Sequence, residues 1–156
     1  MHTVYLSLGS NLGNREENLR KAIVEIGKLV GEVVRQSTFY VTEPWGFESE
    51  NLFANAAVCC MTEYSPREVL MLTQGIERKM GRSKKTVDGN YSDRVIDIDI
   101  LYYDDITVND ANLKIPHPHI HEREFVMKPL KEIFKGEDRK TQSFRQKDKT
   151  WGTKKT

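Results

Sequence analysis

In the first part of the chain, apolar residues recur first at the spacing of a strand and then at the spacing of a helix. Between residues 3 and 8, apolar side chains occupy every second position, which predicts a half-buried β-strand. A glycine-containing turn follows at residues 9–13. Asn14 stands three residues before Glu17, as in a helix N-terminal cap, and apolar residues then recur at helical spacing until Gly31. We therefore expect a strand followed by a helix that begins at Asn14 and ends at Gly31.

Strand and helix patterns alternate further along the chain. Residues 33–41 and 52–62 are rich in valine, threonine, aromatic and small apolar residues, which predicts a second and a third strand. Residues 65–81 begin with a Ser-Pro-Arg-Glu capping box and carry an apolar stripe at helical spacing, which predicts a second helix. Residues 95–103 predict a fourth strand, and a short strand is expected near residues 106–108.

The order of these elements predicts the fold class. Strand, helix, strand, strand, helix, strand is typical of an α+β protein with a ferredoxin-like βαββαβ core, in which an antiparallel-rich sheet packs against helices. A C-terminal extension follows at residues 117–134, and residues 82–93 are expected to form a long loop of the kind that is often functional. We expect one domain over residues 1–134 and a basic, flexible tail over residues 135–156.

Charge and hydropathy argue against two classes of partner. Residues 1–134 carry 16 Lys and Arg against 20 Asp and Glu, whereas residues 135–156 carry eight against three, and the net charge is +1. A mildly acidic body argues against nucleic acid as the partner. No apolar segment reaches the ~20 residues that span a bilayer. We expect a cytoplasmic monomer.

The cysteines do not indicate an oxidising compartment. Cys59 and Cys60 are adjacent within an apolar run. On a strand their side chains would point to opposite faces, so they cannot form an ordinary disulfide with each other.

A pair of acidic residues on the predicted fourth strand carries the strongest chemical signal. Asp97 and Asp99 alternate with isoleucines. Both carboxylates should therefore lie on one face, with Cα atoms ~7 Å apart, while the isoleucines pack into the core. Two such carboxylates repel each other unless hard cations lie between them, and Mg²⁺ is often held by one or two carboxylates plus substrate phosphates. The alternative is a solvated strand face, although strands disfavour Asp.

Cationic residues surround this pair in the sequence. Arg82, Lys84 and Lys85 lie in the long loop, Arg94 precedes the strand, and Arg123 follows it. Arginine grips phosphate oxygens with two parallel donors, which suits a triphosphate whose charge must be neutralised as it reacts. The alternative, above all for the lysines, is a solvated charged loop.

Three of the four histidines fall within residues 117–121, and prolines flank His117. The prolines stiffen the backbone and present the imidazole on an extended segment. A zinc site is one interpretation, but no cysteine lies nearby and the spacing is not helical. We favour a phosphate-contacting imidazole at His117, with His119 and His121 as surface residues.

The loop after the second strand combines aromatic and polar residues. It begins at Thr42, continues through Pro44 and Trp45, and is followed by Phe53 and Asn55 on one face of the third strand. Aromatic faces beside an amide suit a flat heterocycle, which stacks between rings while its edge is hydrogen-bonded. The alternative is a loop that covers the core with its own aromatic side chains.

Read together, these motifs resemble the 6-hydroxymethyl-7,8-dihydropterin pyrophosphokinase family of folate biosynthesis over residues 3–134. The motifs occur in the family's order and at compatible spacings. They are Gly9–Gly13, Phe39-Tyr40 with Thr42, Asn55–Ala57, Gln74, Glu77, Gly81-Arg82, Arg94–Ile100, Pro116-His117, Arg123 with Phe125, and Pro129-Leu130. The family usually has Trp-Gly-Pro-Arg where this chain has Tyr91-Ser92-Asp93-Arg94, and often Arg where it has Lys84.

The resemblance implies an enzyme that transfers the β,γ-pyrophosphoryl group of ATP to the pterin hydroxymethyl oxygen and releases AMP. It implies that Asp97 and Asp99 hold two Mg²⁺ ions, with Arg82 and Arg94 as further catalytic residues. The implied ATP-binding residues are Gln74, Glu77, Lys84, His117 and Arg123. The implied pterin-binding residues are Thr42, Pro44, Trp45, Phe53, Asn55, Tyr91 and Phe125.

Two other functions would use the same features. A non-catalytic ferredoxin-like module would stack RNA bases on the aromatic side chains and contact nucleic acid through the basic tail, but the acidic body argues against it. A metal-dependent phosphoesterase would use the same aspartates and would hydrolyse its substrate instead of transferring a group.

Overall fold

The computed structural model describes residues 1–42, 52–81 and 95–135. In chain order its elements are β1 (His2–Ser10), α1 (Arg15–Leu29), β2 (Glu32–Gln36), β3 (Tyr40–Thr42), β4 (Phe53–Thr62), α2 (Pro66–Lys79), β5 (Asp97–Tyr103), β6 (Val108–Asn109), β7 (Lys114–Ile115), a 3₁₀ turn (Ile120–Glu122) and α3 (Glu124–Ile133). Within these three ranges, no helix has the length and apolar character needed to cross a membrane.

The central sheet has the strand order β2-β4-β1-β5, and β3 also pairs with β4. Every one of these pairs is antiparallel. This is the strand order of a ferredoxin-like βαββαβ core in which β2 and β3 together take the place of the second strand. The predicted fold class is therefore confirmed. β6 and β7 form a separate two-stranded sheet.

The sheet has a hydrophobic core on each face. On one face, Ile26 of α1 and Ile76 of α2 belong to the same buried cluster as Cys60. On the other face, Leu130 of α3 belongs to a second cluster with Cys59. The two cysteines thus point to opposite faces, as predicted; both are fully buried, and neither forms a disulfide within the described residues. The alternation that puts them there is the ordinary pleat of a strand.

β1 and β5 pair with an irregularity that changes which side chains face α3. Leu6 pairs with Ile100, whereas Tyr5 pairs with Tyr102, so Leu101 is an extra residue in β5. Such a β-bulge bends the strand and re-aims its side chains. Leu101 and Tyr102 both join the cluster beneath α3, so strict alternation in β5 ends at Ile100.

Both predicted helix starts are confirmed. The Asn14 side chain accepts a hydrogen bond of 3.1 Å from the Glu17 N–H, and residues 65–68 form a reciprocal capping box. α1 ends at Leu29 with Val30 as its C-cap, so Gly31 lies just beyond the helix. A Cβ at Gly31 would lie 1.9 Å from the Met61 carbonyl oxygen. The glycine permits close approach of two backbones and is not a left-handed cap.

The single strand predicted over residues 33–41 is wrong. It divides into β2 and β3 because Ser37 turns inward between them. The Ser37 Oγ accepts from the Ala57 N–H at 2.9 Å, and the Ser37 N–H donates to the Ala57 carbonyl at 2.9 Å. These two bonds take the place of regular ladder pairing, and β3 then resumes as a separate strand.

Later boundaries also differ from the prediction. The short strand expected near 106–108 begins at Val108, after a turn in which Asp104 has a φ of 49°. The C-terminal extension contains α3, which the pattern analysis missed because Pro129 lies inside this helix and no side chain caps its start. The predicted tail lies outside the described residues from residue 136 onward.

Candidate active site

Asp97 and Asp99 lie at the start of β5 on the face opposite α1 and α2. The isoleucines at 96, 98 and 100 are at most 5 % exposed and belong to the core under those helices. The two carboxylates therefore point to the other face, where the Asp99 side chain is 35 % exposed. Across β1, Asp97 pairs with Gly9 and Asp99 pairs with Ser7. The predicted alternation of aspartate and isoleucine is thus present.

Glu77 holds the strand between the two aspartates from its outer edge. Its side chain is buried, and Oε2 accepts a hydrogen bond of 2.7 Å from the Ile98 N–H. Among the described residues, β1 is the strand that pairs with β5 in the central sheet, so the N–H groups on the outer edge of β5 need other partners. The resemblance implied an ATP-binding role for Glu77, whereas this contact is to the backbone. Gln74, one turn earlier on α2, is exposed.

His117 lies beside the aspartates with a defined tautomer. Its N–H donates to the Leu101 carbonyl at 3.1 Å, which anchors this segment to β5. The ring Nδ1 accepts from the His119 N–H at 3.1 Å, so the neutral ring carries its proton on Nε2, 4.0 Å from Asp99 Oδ2. Burial, followed by the positive charge of Arg123, lowers the pKa of His117 to about 4. The ring is therefore neutral at pH 7 and presents an N–H donor.

Arg123 and Phe125 stand where α3 begins. Arg123 is only 3 % exposed, which is rare for an arginine, and its guanidinium carbon lies 5.9 Å from the centre of the Phe125 ring. Its charge acts on the His117 ring. Since α3 covers the sheet face that carries the aspartates, a buried cation and an aromatic ring are added to the same side of the molecule.

Thr42, Phe53 and Asn55 meet where β3 runs beside β4. Thr42 pairs with Phe53, and the buried Asn55 Nδ2 donates to Thr42 Oγ1 at 2.7 Å. A Cβ at Gly9 of β1 would lie 3.3 Å from Asn55 Oδ1 and 3.5 Å from the Phe53 ring. A side chain at residue 9 would press on the Asn55 amide and cover the space beside the Phe53 ring, so the glycine keeps this surface open. The sequence pattern places Gly9 in a turn and does not predict this role, although a glycine that ends an alternating strand is a signal of close approach.

One row of paired residues connects this surface with the aspartates. Gly9 pairs with Asp97 on one side and with Asn55 on the other. Because neighbouring strands are ~4.8 Å apart, the backbones of Asp97 and Asn55 lie ~10 Å apart on the same face. The Asn55 amide and the Phe53 ring, which suit a flat heterocycle, are thus close enough to the paired carboxylates for one small molecule to reach both.

A cavity of about 260 Å³ opens beside Asp99. Its walls are Leu70, Ile98, Asp99, Ile100, residues 111–114, His117 and Pro118. A larger hollow of about 530 Å³ is lined by residues of α1 and α2. That hollow lies on the side of the sheet that α1 and α2 cover, and its walls include neither the aspartates nor His117. The smaller cavity is the better ligand site because it combines apolar walls with convergent polar groups.

The aspartate pair fits Mg²⁺ by its donor atoms. Two carboxylates supply hard oxygen ligands, and Mg²⁺ usually completes its shell with substrate phosphates and water. In the part of the chain that the structure describes, no group of three or more His, Cys, Asp or Glu side chains could hold a metal ion. The zinc interpretation of the histidines therefore gains no support there, and the His117 Nδ1 already accepts a backbone N–H.

The remaining implied site residues lie outside the described residues. They are Pro44, Trp45, Arg82, Lys84, Tyr91 and Arg94. Their roles stay predictions. Of the described members, Asp97, Asp99, His117, Arg123, Phe125, Thr42, Phe53 and Asn55 lie at β3, β4, β5, the segment that leads into α3 and the first turn of α3. Gln74 and Glu77 lie on α2; Glu77 reaches β5 through Ile98, whereas Gln74 is exposed.

Sequence comparisons identify the family. The family model for 7,8-dihydro-6-hydroxymethylpterin-pyrophosphokinase matches residues 5–135. A Porphyromonas gingivalis protein named 2-amino-4-hydroxy-6-hydroxymethyldihydropteridine pyrophosphokinase is 46 % identical over 134 residues, 85 % of this chain and 91 % of its own length. An Aquifex aeolicus protein of the same name is 38 % identical over 133 residues, 85 % of this chain and 81 % of its own.

Solved structures agree on the fold. A crystal structure described as HPPK-DHPS in complex with substrates matches 85 % of this chain with a TM-score of 0.67 and 14 % identity. This chain spans 40 % of that longer chain, so the likeness shows the fold alone. Because the family model and the named relatives each cover most of the sequence, the chain belongs to the 7,8-dihydro-6-hydroxymethylpterin pyrophosphokinase family.

Proposed function

We propose that the chain transfers the β,γ-pyrophosphoryl group of ATP to the hydroxymethyl oxygen of 6-hydroxymethyl-7,8-dihydropterin in folate biosynthesis. The hydroxymethyl oxygen bonds to the β-phosphorus, the bond from that phosphorus to the α–β bridging oxygen breaks, the hydroxyl proton is lost and AMP leaves. Family membership and the named relatives support this reaction. We place the site on the observation that Gly9 pairs with Asp97 on one side and with Asn55 on the other.

The pterin is placed over Gly9, next to the Phe53 ring. Asn55 is buried and tied to Thr42, so its amide has a fixed orientation from which to recognise the edge of the heterocycle. Phe125, at the start of α3, stacks on the ring from the other side. Pro44, Trp45 and Tyr91 complete the pocket in this proposal. Because Gly9 lies between Asn55 and Asp97 in the sheet, a pterin over Gly9 would have its hydroxymethyl group directed towards Asp97.

ATP is placed at the outer edge of β5. The cavity beside Asp99 takes the nucleoside part, and His117 donates its Nε2 proton to a phosphate oxygen. Because the pKa of His117 is lowered to about 4, this ring supplies a hydrogen bond and not a charge. Gln74 follows the cavity residue Leu70 by one turn of α2, so both lie on one helix face.

Positive charge for the triphosphate comes from arginines. Arg123 supplies a buried guanidinium near His117. Arg82, Arg94 and Lys84 are proposed to add further positive charge, with the two arginines stabilising the moving group.

Asp97 and Asp99 are the residues that would hold Mg²⁺, and two ions are expected. When bound, the metal supplies charge neutralisation and polarises the β-phosphorus. The protein's own contribution is to fix the carboxylates, through pairing with β1 and through the Glu77 contact to Ile98. A cytoplasmic location and a monomeric state are further parts of the proposal that stay predictions.

Product analysis tests the reaction. With ATP, Mg²⁺ and 6-hydroxymethyl-7,8-dihydropterin, we expect AMP and pyrophosphorylated pterin in equal amounts. The matched control is 6-methyl-7,8-dihydropterin, which lacks the accepting hydroxyl and should bind without releasing AMP. Formation of ADP would reject pyrophosphoryl transfer. Nucleotide breakdown that proceeds equally well without a pterin would instead favour a hydrolase.

A further inference from the structure

We propose that Glu132 of α3 is a positioning residue for the pterin pocket, because it holds β3 against β4 and thereby sets the Thr42–Asn55 pair. This role rests on the proposed function, since it concerns the substrate surface described above. Glu132 is exposed, and the hydrogen bonds described below join it to Thr38 and Tyr40, so its effect on the substrate surface would pass through β3.

The carboxylate of Glu132 accepts hydrogen bonds from Thr38, which precedes β3, and from Tyr40, the first residue of β3. Oε2 accepts from the Thr38 N–H at 2.9 Å. Oε1 accepts from the Thr38 hydroxyl at 2.9 Å and from the Tyr40 hydroxyl at 2.7 Å. Hydrogen bonds to an ionised acceptor are about twice as strong as neutral ones. One side chain thus binds the connection from β2 and the first residue of β3.

The carboxylate is ionised at neutral pH, as this arrangement requires. Burial raises the pKa of the Glu132 carboxyl, but the hydrogen bonds from Tyr40 and Thr38 outweigh that effect, so the pKa lies below its usual value. The same contact raises the pKa of the Tyr40 hydroxyl, which keeps it protonated as a donor. Both partners are therefore in the protonation states that the hydrogen bond needs.

β3 depends on such a contact because its own pairing is slight. The structure describes three residues of β3, and they pair with β4; so short a stretch supplies few ladder bonds to hold its register. The register of β3 sets the positions of residues in the proposed pterin pocket, since Tyr40 pairs with Asn55 and Thr42 pairs with Phe53. The Asn55 amide then donates to the Thr42 hydroxyl. A displacement of β3 would move both partners of that bond.

α3 links this contact with the other side of the proposed pocket. Phe125 and Glu132 are seven residues apart on α3, which is about two helical turns and places them on the same helix face, ~10 Å apart along the axis. α3 also packs on β4 through the buried Val126 and Leu130. The helix that carries the proposed stacking ring therefore also carries the group that holds β3.

Glu132→Ala tests this role, with Glu124→Ala as the matched control. Glu124 lies on the same helix and its side chain is 81 % exposed. In AMP-release assays we expect Glu132→Ala to raise the KM for the pterin about tenfold and to leave the KM for ATP within about twofold. Glu132→Gln keeps one acceptor oxygen without the charge and should recover part of the affinity, and Tyr40→Phe, which removes one of the three hydrogen bonds, should also give an intermediate KM. Glu124→Ala should match the wild type.

Hydrogen exchange supplies a readout that does not need turnover. In Glu132→Ala the amides of residues 40–42 should exchange faster than in Glu124→Ala, at equal overall stability. An unchanged pterin KM, or equal increases in the KM for pterin and for ATP, would overturn the positioning role while the wild-type enzyme stays active. A wild-type protein that releases no AMP would overturn the proposed function itself, and this role with it.

Discussion

Glu77 and Ile98 are joined by a hydrogen bond of 2.7 Å between a buried carboxylate and a backbone N–H. Ile98 is the residue between Asp97 and Asp99, so a side chain of α2 fixes the strand from which both carboxylates project. This bond also satisfies an N–H at the outer edge of β5, where β1 cannot reach it.

Replacement of Glu77 should therefore affect stability and turnover together. Glu77→Ala leaves the Ile98 N–H without this acceptor, and we expect a loss of about 1–3 kcal/mol in the free energy of unfolding. Turnover should fall further than the folded fraction does, because the aspartates lose their alignment. Denaturant unfolding and AMP release measure the two effects. Met71→Ala, an exposed change on the same helix, is the control; if Glu77→Ala behaves like it, the contact has no such role.

Asp97→Asn and Asp99→Asn should abolish most of the activity without unfolding the protein. Each removes a charge but keeps the side-chain shape, so we expect turnover to fall by about 10²–10³-fold or more. Thermal unfolding without ligands should change little, because both residues are partly exposed. Asp105→Asn, in the turn after β5, should retain wild-type turnover. Full activity in either site variant would show that the metal is held elsewhere.

Gly9→Ala should weaken pterin binding selectively. The added Cβ would lie 3.3 Å from Asn55 Oδ1 and 3.5 Å from the Phe53 ring, so it would occupy space that we assign to the substrate. We expect the KM for the pterin to rise about tenfold, with a smaller change for ATP. Gly27→Ala is the contrasting change, since a Cβ there meets nothing within 4 Å. It lies within α1 and should raise stability by about 0.5–1 kcal/mol.

The apo protein should lose stability between pH 6.5 and pH 4 through His117. Its pKa is lowered from 6.5 to about 4, by burial first and by the charge of Arg123 next. In that interval the unfolded chain binds the extra proton and the folded chain does not, so the stabilisation present above pH 6.5 disappears as the pH falls. The loss is at most about 3 kcal/mol.

Denaturant unfolding at a series of pH values, without nucleotide or metal, measures this loss. His117→Gln cannot titrate and should show a shallower decline over the same range. Carboxylates distant from His117 affect both proteins alike, so the difference between the two curves reports on the histidine and its immediate neighbours. Identical curves would mean that the folded His117 ring titrates normally.

Local patterns predicted most of the elements up to β5 and the side chains that could carry the chemistry, but they missed α3 and the division between β2 and β3. Alternation predicted that Asp97 and Asp99 share a face, and the capping residues at Asn14 and Ser65 predicted where α1 and α2 begin. These features depend on neighbours within a few positions, which is the range over which strand pleat and helix pitch act. The order of elements then limited the topology to few choices.

Contacts between segments that are distant in sequence decided how the site residues are positioned, and no local pattern contains that information. The close approach of Gly9 to Asn55, the Glu77 bond to Ile98 and the Glu132 bonds to β3 each join residues from different elements. The division of the strand at Ser37 and the bulge at Leu101 depend likewise on partner strands. Packing outweighed intrinsic preference in α3, where a helix forms around Pro129 because its apolar face covers the sheet.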